Sequence, residues 1–233
     1  MLLFSALCGI INLDNGILVP NDSNSSEAFS MTDTNSSKRI ILASASPRRK
    51  DILGSMGAQF EILVADADES SDITDPELLT RELARRKADA ALEILRSRGE
   101  ADGAIIIAAD TVVACEGKIL GKPRDREDAI GMIKLLSGNT HVVASGIAVC
   151  VDGVIKTDCS ITKVRVDDIP DSEIVKYVDS GEPYDKAGGY GIQGSFSRWV
   201  SGIDGCYFGV VGLPANKLSK LFFDCVGAYP DSI

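Results

Sequence analysis

The chain has 233 residues, 45% of them hydrophobic, enough to bury a full core as one large domain or as two lobes sharing a sheet. Its formal net charge of -10 argues against duplex nucleic acid or an anionic membrane as partner, because both demand a broad basic face. A small anion needs only local positive charge, and Arg48 to Lys50, Arg85 to Lys87, and Lys122 with Arg124 supply it in three places.

Residues 1–38 differ from the remainder of the chain. Up to Ser37 there is no Lys or Arg, and the segment has four acidic residues and the polar run Asn21 to Ser26. Leu2 to Ile11 has the apolar character of a short secretory core but lacks a positive flank, and no Arg-rich transit signature is present. The segment reads as a disordered extension, or as sequence ahead of a true start at Met31. No run reaches the roughly 20 apolar residues of a membrane span, and a cytoplasmic protein is expected.

Arg39-Ile-Ile-Leu-Ala-Ser-Ala-Ser-Pro-Arg-Arg-Lys50 reads as strand, serine turn and helix, with Ser46 as N-cap and Pro47 where its missing N–H costs nothing. Unpaired N–H groups, the positive end of the helix dipole and the guanidinium forks of Arg48 and Arg49 then face an anion. Phe60 to Val64 alternates as a strand, and Asp66 to Asp72 is an acidic loop. Asp75 caps a helix from Pro76 to about Arg98, with Leu79, Leu83, Ala84, Ala88, Ala91 and Leu95 as its core stripe. Ala104 to Ala109 is an apolar run typical of a strand buried on both faces, expected to stop at Asp110.

Val112 to Leu120 folds back at Glu116-Gly117, and Asp125 caps a helix stopped by Gly138. Thr140 to Val151, the Asp152-Gly153 turn and Val154 to Val166 predict a hairpin. A helix over about Asp171 to Asp179 comes next, then Gly181 to Gly194, too rich in glycine for regular structure. Strands around Trp199 to Ile203 and Cys206 to Val211 and a helix opening at Pro214 complete the chain.

Asp110 carries the chemistry of this reading. A carboxylate after six apolar strand residues must be hydrogen-bonded, metal-bound or exposed in a cleft. Glu69, from the acidic loop, is its companion for a divalent cation, since Mg²⁺ prefers hard oxygens from one or two carboxylates plus phosphate. Lys87, Lys122 and the first helix would grip phosphates from other sides. The six cysteines are scattered with no C-x-x-C pair, which fits reduced, buried thiols better than zinc or redox chemistry, and the single His141 is expected merely to begin a strand.

Five blocks stand in order: Leu42-Ala-Ser-Ala-Ser-Pro-Arg-Arg49, Ala109-Asp-Thr-Val-Val113, Gly121-Lys-Pro-Arg-Asp125, Leu136-Ser-Gly138 with Thr140-His141, and Asp185-Lys-Ala-Gly-Gly-Tyr-Gly-Ile-Gln-Gly194. Together they closely resemble the Maf family of nucleoside triphosphate pyrophosphatases from about Arg39 to Gly227. The resemblance implies an α/β fold like that of the inosine triphosphate pyrophosphatases, a long mixed twisted sheet with flanking helices and two lobes around a cleft, occupying residues 39–233. It also implies cleavage of a nucleoside triphosphate between its α and β phosphates with a divalent cation, Mg²⁺ or Mn²⁺, and a possible homodimer.

On the family pattern Asp110 is the proton acceptor, Glu69 falls on an acidic metal position, and Ser44, Arg49, Lys87 and Lys122 fall on phosphate positions. Arg48, Thr111 and Gln193 coincide with the positions that mark the dTTP- and UTP-cleaving branch. Gln193 also makes chemical sense, because one primary amide can satisfy both the N3–H and the O4 of uracil or thymine, whereas cytosine reverses that pattern. The alternatives are a 7-methyl-GTP pyrophosphatase and, from another class, a nucleotide-binding regulator of septum formation, a role also associated with the family.

Overall fold

The computed structural model describes residues 38–233, so the expectations for residues 1–37 fall outside it. Seven strands form one mixed sheet: β1 (Arg39–Leu42), β2 (Phe60–Ile62), β3 (Ala104–Cys115), β4 (Lys118–Leu120), β5 (Thr140–Val151), β6 (Val154–Val166) and β7 (Val200–Asp204). Their order is β2-β1-β3-β5-β6-β7, with β4 paired to β3 off that path. β1 runs parallel to β2 and β3, and the remaining pairings are antiparallel.

One face of the sheet is covered by α2 (Pro76–Ser97), whose Ala84, Ala88 and Ala91 are fully buried against Ile41, Ile106, Ala108 and Ala148. Small side chains let this helix lie close, and Gly146 of β5 makes the closest approach possible. A Cβ added there would fall 2.3 Å from the Thr80 carbonyl group. The opposite face carries the larger core, where α1 (Pro47–Ser55), α3 (Arg126–Leu136), α4 (Asp171–Asp179) and α6 (Ala215–Val226) contribute Leu53, Ile133, Ile174 and Phe222.

The β5–β6 hairpin turns at Asp152 and Gly153, with φ of +51° and +80°, and the β3–β4 hairpin does the same at Glu116 and Gly117. Both are the primed turns that match strand twist. Asp75 Oδ1 accepts from Leu78 N at 2.8 Å and Asp125 Oδ1 from Asp128 N at 2.8 Å, so both helix caps form as expected.

Several expectations are corrected. The strand predicted to stop at Asp110 runs on to Cys115, because Asp110 pairs with Gly146 and the ladder continues to Ala114 opposite Val142. On its other edge β3 is covered only at its ends, by β1 as far as Ile107 and by β4 from Val113. Asp110 and Thr111 lie in the open interval between them.

Cys206 to Val211 is not a strand. Tyr207–Val211 is a short helix, α5, whose first turn is closed by Cys206 Sγ accepting from Gly209 N at 3.3 Å. Phe60 to Val64 shortens to a strand of three residues, and Ser46, although at the N-cap of α1, makes no side-chain cap. The glycine-rich segment holds two 3-10 turns, Glu182–Asp185 and Ala187–Gly189. Cys115, Cys150 and Cys159 are buried thiols, while Cys206 and Cys225 are partly exposed.

Candidate active site

The open interval of β3 borders a cavity of about 830 Å³. Because strand side chains alternate, Asp110 points to the α2 face and Thr111 to the other, so one strand furnishes both walls. Arg48, Arg49, Glu69, Lys87, Asp110, Thr111, Lys122 and Gln193 all line it, as do Glu182, Asp185, Lys186 and Tyr190 of the glycine-rich segment. Among the residues given a site role in the sequence, Ser44 alone stands back from the lining, and of the three basic clusters Lys50, Arg85, Arg86 and Arg124 lie outside it.

On the α2 side, Lys87 joins two carboxylates. Its Nζ lies 2.5 Å from Asp110 Oδ1 and 2.7 Å from Glu69 Oε1. Asp110 is buried, and its Oδ2 accepts no hydrogen bond among the described residues. The hydrogen bond from Lys87 holds the Glu69 carboxyl below its ordinary range, and the Lys122 and Arg49 charges act in the same direction.

The two carboxylates converge on one cation position, here taken by an ammonium. That donor set is hard, anionic and incomplete, which suits a divalent ion sharing phosphate oxygens with a substrate. Among the described residues no cluster of three or more His, Cys, Asp or Glu could hold a metal without such help.

The opposite wall is built differently. Arg49 donates from Nε to Gly212 O at 2.9 Å, from Nη1 to Ser44 Oγ at 3.3 Å and from Nη2 to Thr111 Oγ1 at 3.4 Å. All three partners are neutral, so its charge is fixed in position without being neutralised. Burial pushes its pKa down while the Asp110 charge pushes it back up. Lys122 likewise has no ion-pair partner among the described residues. Ser44 Oγ also accepts from Ser46 N at 3.2 Å, which shapes the turn leading into α1. With no side chain capping α1, its first amides are left for a ligand.

Arg48 donates to Asp185 Oδ2 at 3.3 Å, and Lys186 Nζ donates to Asp185 Oδ1 and to Glu182 O, both at 2.6 Å. The first contact ties the glycine-rich segment to α1, and the other two brace the segment internally. Glu182 Oε2 in turn accepts from Ser195 N and Ser195 Oγ at 3.1 and 2.7 Å, and a Cβ on Gly194 would meet its Oε1 at 1.8 Å. A side chain at Gly194 would therefore have to push the Glu182 carboxylate off Ser195. Gln193, two residues after the partly buried Gly191, is exposed at the cavity mouth, and its amide makes no hydrogen bond among the described residues.

The sequence pattern does not single out Glu182, Asp185, Lys186 or Tyr190 as individual site residues. Asp185, Lys186 and Tyr190 lie within one of the five blocks, but nothing in the pattern separates their side chains from the turn around them. His141, expected only to open a strand, does more. It is buried, with Nε2 2.7 Å from Tyr190 Oη, and burial lowers its pKa to about 4.

Residues 39–225 match the family described as Maf-like protein. A dTTP/UTP pyrophosphatase of Clostridium perfringens is 46% identical over 186 residues, covering 78% of this chain and 94% of that protein. Those of Acetivibrio thermocellus and Desulforamulus reducens are each 44% identical, covering 80% and 77% of this chain and 94% and 93% of theirs. The seven-stranded mixed sheet with flanking helices is consistent with that kinship, and the chain belongs to the Maf family.

Proposed function

We propose that this protein hydrolyses dTTP and UTP to the monophosphate and pyrophosphate, with residues 39–233 as the working unit in the cytoplasm. The observation that carries the reading is a buried carboxylate, Asp110, facing cationic charge on Arg49 and Lys122 that no protein carboxylate pairs among the described residues. Relatives 42–46% identical over about 80% of the chain bear the name dTTP/UTP pyrophosphatase, which supports the same substrate class.

Asp110 accepts the proton of a water that attacks the α-phosphorus. The new P–O bond forms as the bond from that phosphorus to the α–β bridging oxygen breaks, and pyrophosphate departs with the bridging oxygen. Arg49, Lys122 and the open amides of α1 offset the negative charge gathering on the departing group. Lys87 leaves its carboxylate partners for the phosphates. Asp110 and Glu69 would hold a divalent cation, Mg²⁺ or Mn²⁺, which when bound neutralises phosphate charge and favours ionised water.

Arg48, Thr111 and Gln193 would read the base, the Gln193 amide accepting from N3–H and donating to O4. A site that satisfies this pattern disfavours cytosine, which would set its N4 amino group against the Gln193 N–H donor and its bare N3 against the amide oxygen. Purified protein with Mg²⁺ or Mn²⁺ is expected to release pyrophosphate from dTTP and UTP faster than from dCTP or 7-methyl-GTP. No release from either thymine or uracil nucleotides would overturn the proposal.

A further inference from the structure

Behind the Arg49 wall lies a chain of hydroxyls whose direction is fixed. Ser145, fully buried in β5, has its Oγ 2.6 Å from Gly209 O and 2.8 Å from Thr111 Oγ1. A carbonyl oxygen can only accept, so the single Ser145 proton goes to Gly209. The Gly209 carbonyl needs it, since the amide of Leu213, its partner in a continuing helix, bonds Phe208 O at 2.9 Å instead. Ser145 Oγ is thereby left as an acceptor, and it takes the Thr111 proton. Thr111 Oγ1, its proton committed inward, presents lone pairs to Arg49 Nη2 at 3.4 Å and to the cavity it lines.

We infer that Ser145 is a positioning residue that sets the polarity of Thr111, making its hydroxyl an acceptor toward the cavity and never a donor. The ligand group it suits is an N–H or O–H, such as the N3–H of uracil or thymine, whose proton Thr111 Oγ1 would share with the Gln193 amide oxygen, and it disfavours a bare ring nitrogen such as N3 of cytosine. The inference rests on the pyrophosphatase reading for its substrate class, but its hydrogen-bond logic stands on the protein alone.

The test is selectivity. Ser145→Ala frees the Thr111 proton to turn toward the cavity, and the ratio of kcat/KM for UTP over CTP should fall about tenfold, the size of one neutral hydrogen bond changing its sense. Thr111→Val should give a similar fall, and adding Ser145→Ala to it should change the ratio no further. Ser145→Cys, which keeps the volume and a weak donor, should fall between wild type and Ser145→Ala, and it serves if the alanine variant folds poorly.

An unchanged ratio in Ser145→Ala with rates lowered equally on both substrates, or an equal further loss in the Thr111→Val background, would assign Ser145 a purely structural role and overturn the inference. Calorimetric binding of UMP and CMP to the same proteins separates the two hypotheses. Absence of pyrophosphate release by wild type defeats the pyrophosphatase reading, whereas equal UMP-to-CMP affinity ratios in wild type and Ser145→Ala defeat the inference about Ser145.

Discussion

The two walls of the cavity hold charge in opposite ways. On the α2 side one cation, Lys87, is held between two carboxylates, Asp110 and Glu69, at 2.5 and 2.7 Å, so a ligand or metal entering there must displace an existing ion pair. On the other side Arg49 is held by a carbonyl and two hydroxyls, which restrain the guanidinium without cancelling its charge. One wall is built to exchange partners and the other to remain still. A negative overall charge is compatible with an anion site because fixed, unpaired cations are needed at only a few points.

The comparison breaks most directly at Asp110. Asp110→Asn keeps the shape but removes the proton acceptor, and steady-state pyrophosphate release should fall by about 10²–10⁴-fold with thermal stability little changed. Arg49→Ala should cost about 10²-fold in kcat/KM. Arg49→Lys should recover only part of this, because an ammonium cannot reproduce contacts to Gly212, Ser44 and Thr111 together.

His141, behind Tyr190, tests whether the still wall is also a stability element. Its imidazole takes a proton near pH 6.5 in the unfolded chain but only near 4 when folded. The stability it contributes is full above about pH 6.5 and is lost as pH falls toward 4, by about 3 kcal/mol. Denaturant unfolding between pH 7 and 4 should show that slope, and His141→Phe should flatten it. Gln193→Ala should have the smallest effect, roughly tenfold in the preference for UTP over CTP with little change in pyrophosphate affinity, measured by competition.

Much of this arrangement is legible in the chain. The long helix comes from its alanine and leucine stripe and its Asp75 cap, and the β5–β6 hairpin from Asp152-Gly153 between two β-rich runs. Asp110, Glu69, Lys87, Arg49 and Lys122 can be named because charged residues after an apolar run, in loops, within an amphipathic helix or at a helix start stand out against their neighbours. They do gather in one cavity.

The illegible part depends on tertiary contact. Cys206 to Val211 is too short for periodicity to separate helix from strand, and the decision rests on Cys206 Sγ, Ser145 Oγ and the packing of Gly209 on Ser160. The continuation of β3 past Asp110 depends on Gly146 in another strand, which no local pattern reveals. Ser145 itself is a small polar residue in mid-strand, and only its position between Thr111 and Gly209 gives it meaning.

That a single strand supplies both walls has a consequence for how such an enzyme can change. Inserting or deleting one residue in β3 ahead of Asp110 would send the acid toward α1 and the hydroxyl toward α2, exchanging the contents of the two sides at a stroke. The chemistry of this centre can thus be tuned by replacing side chains but not by altering the spacing along that strand, whereas the acidic loop before α2 can change length wherever Glu69 still reaches Lys87. Natural variation in the family should record this as substitutions around Asp110 without gaps, and as gaps between β2 and α2.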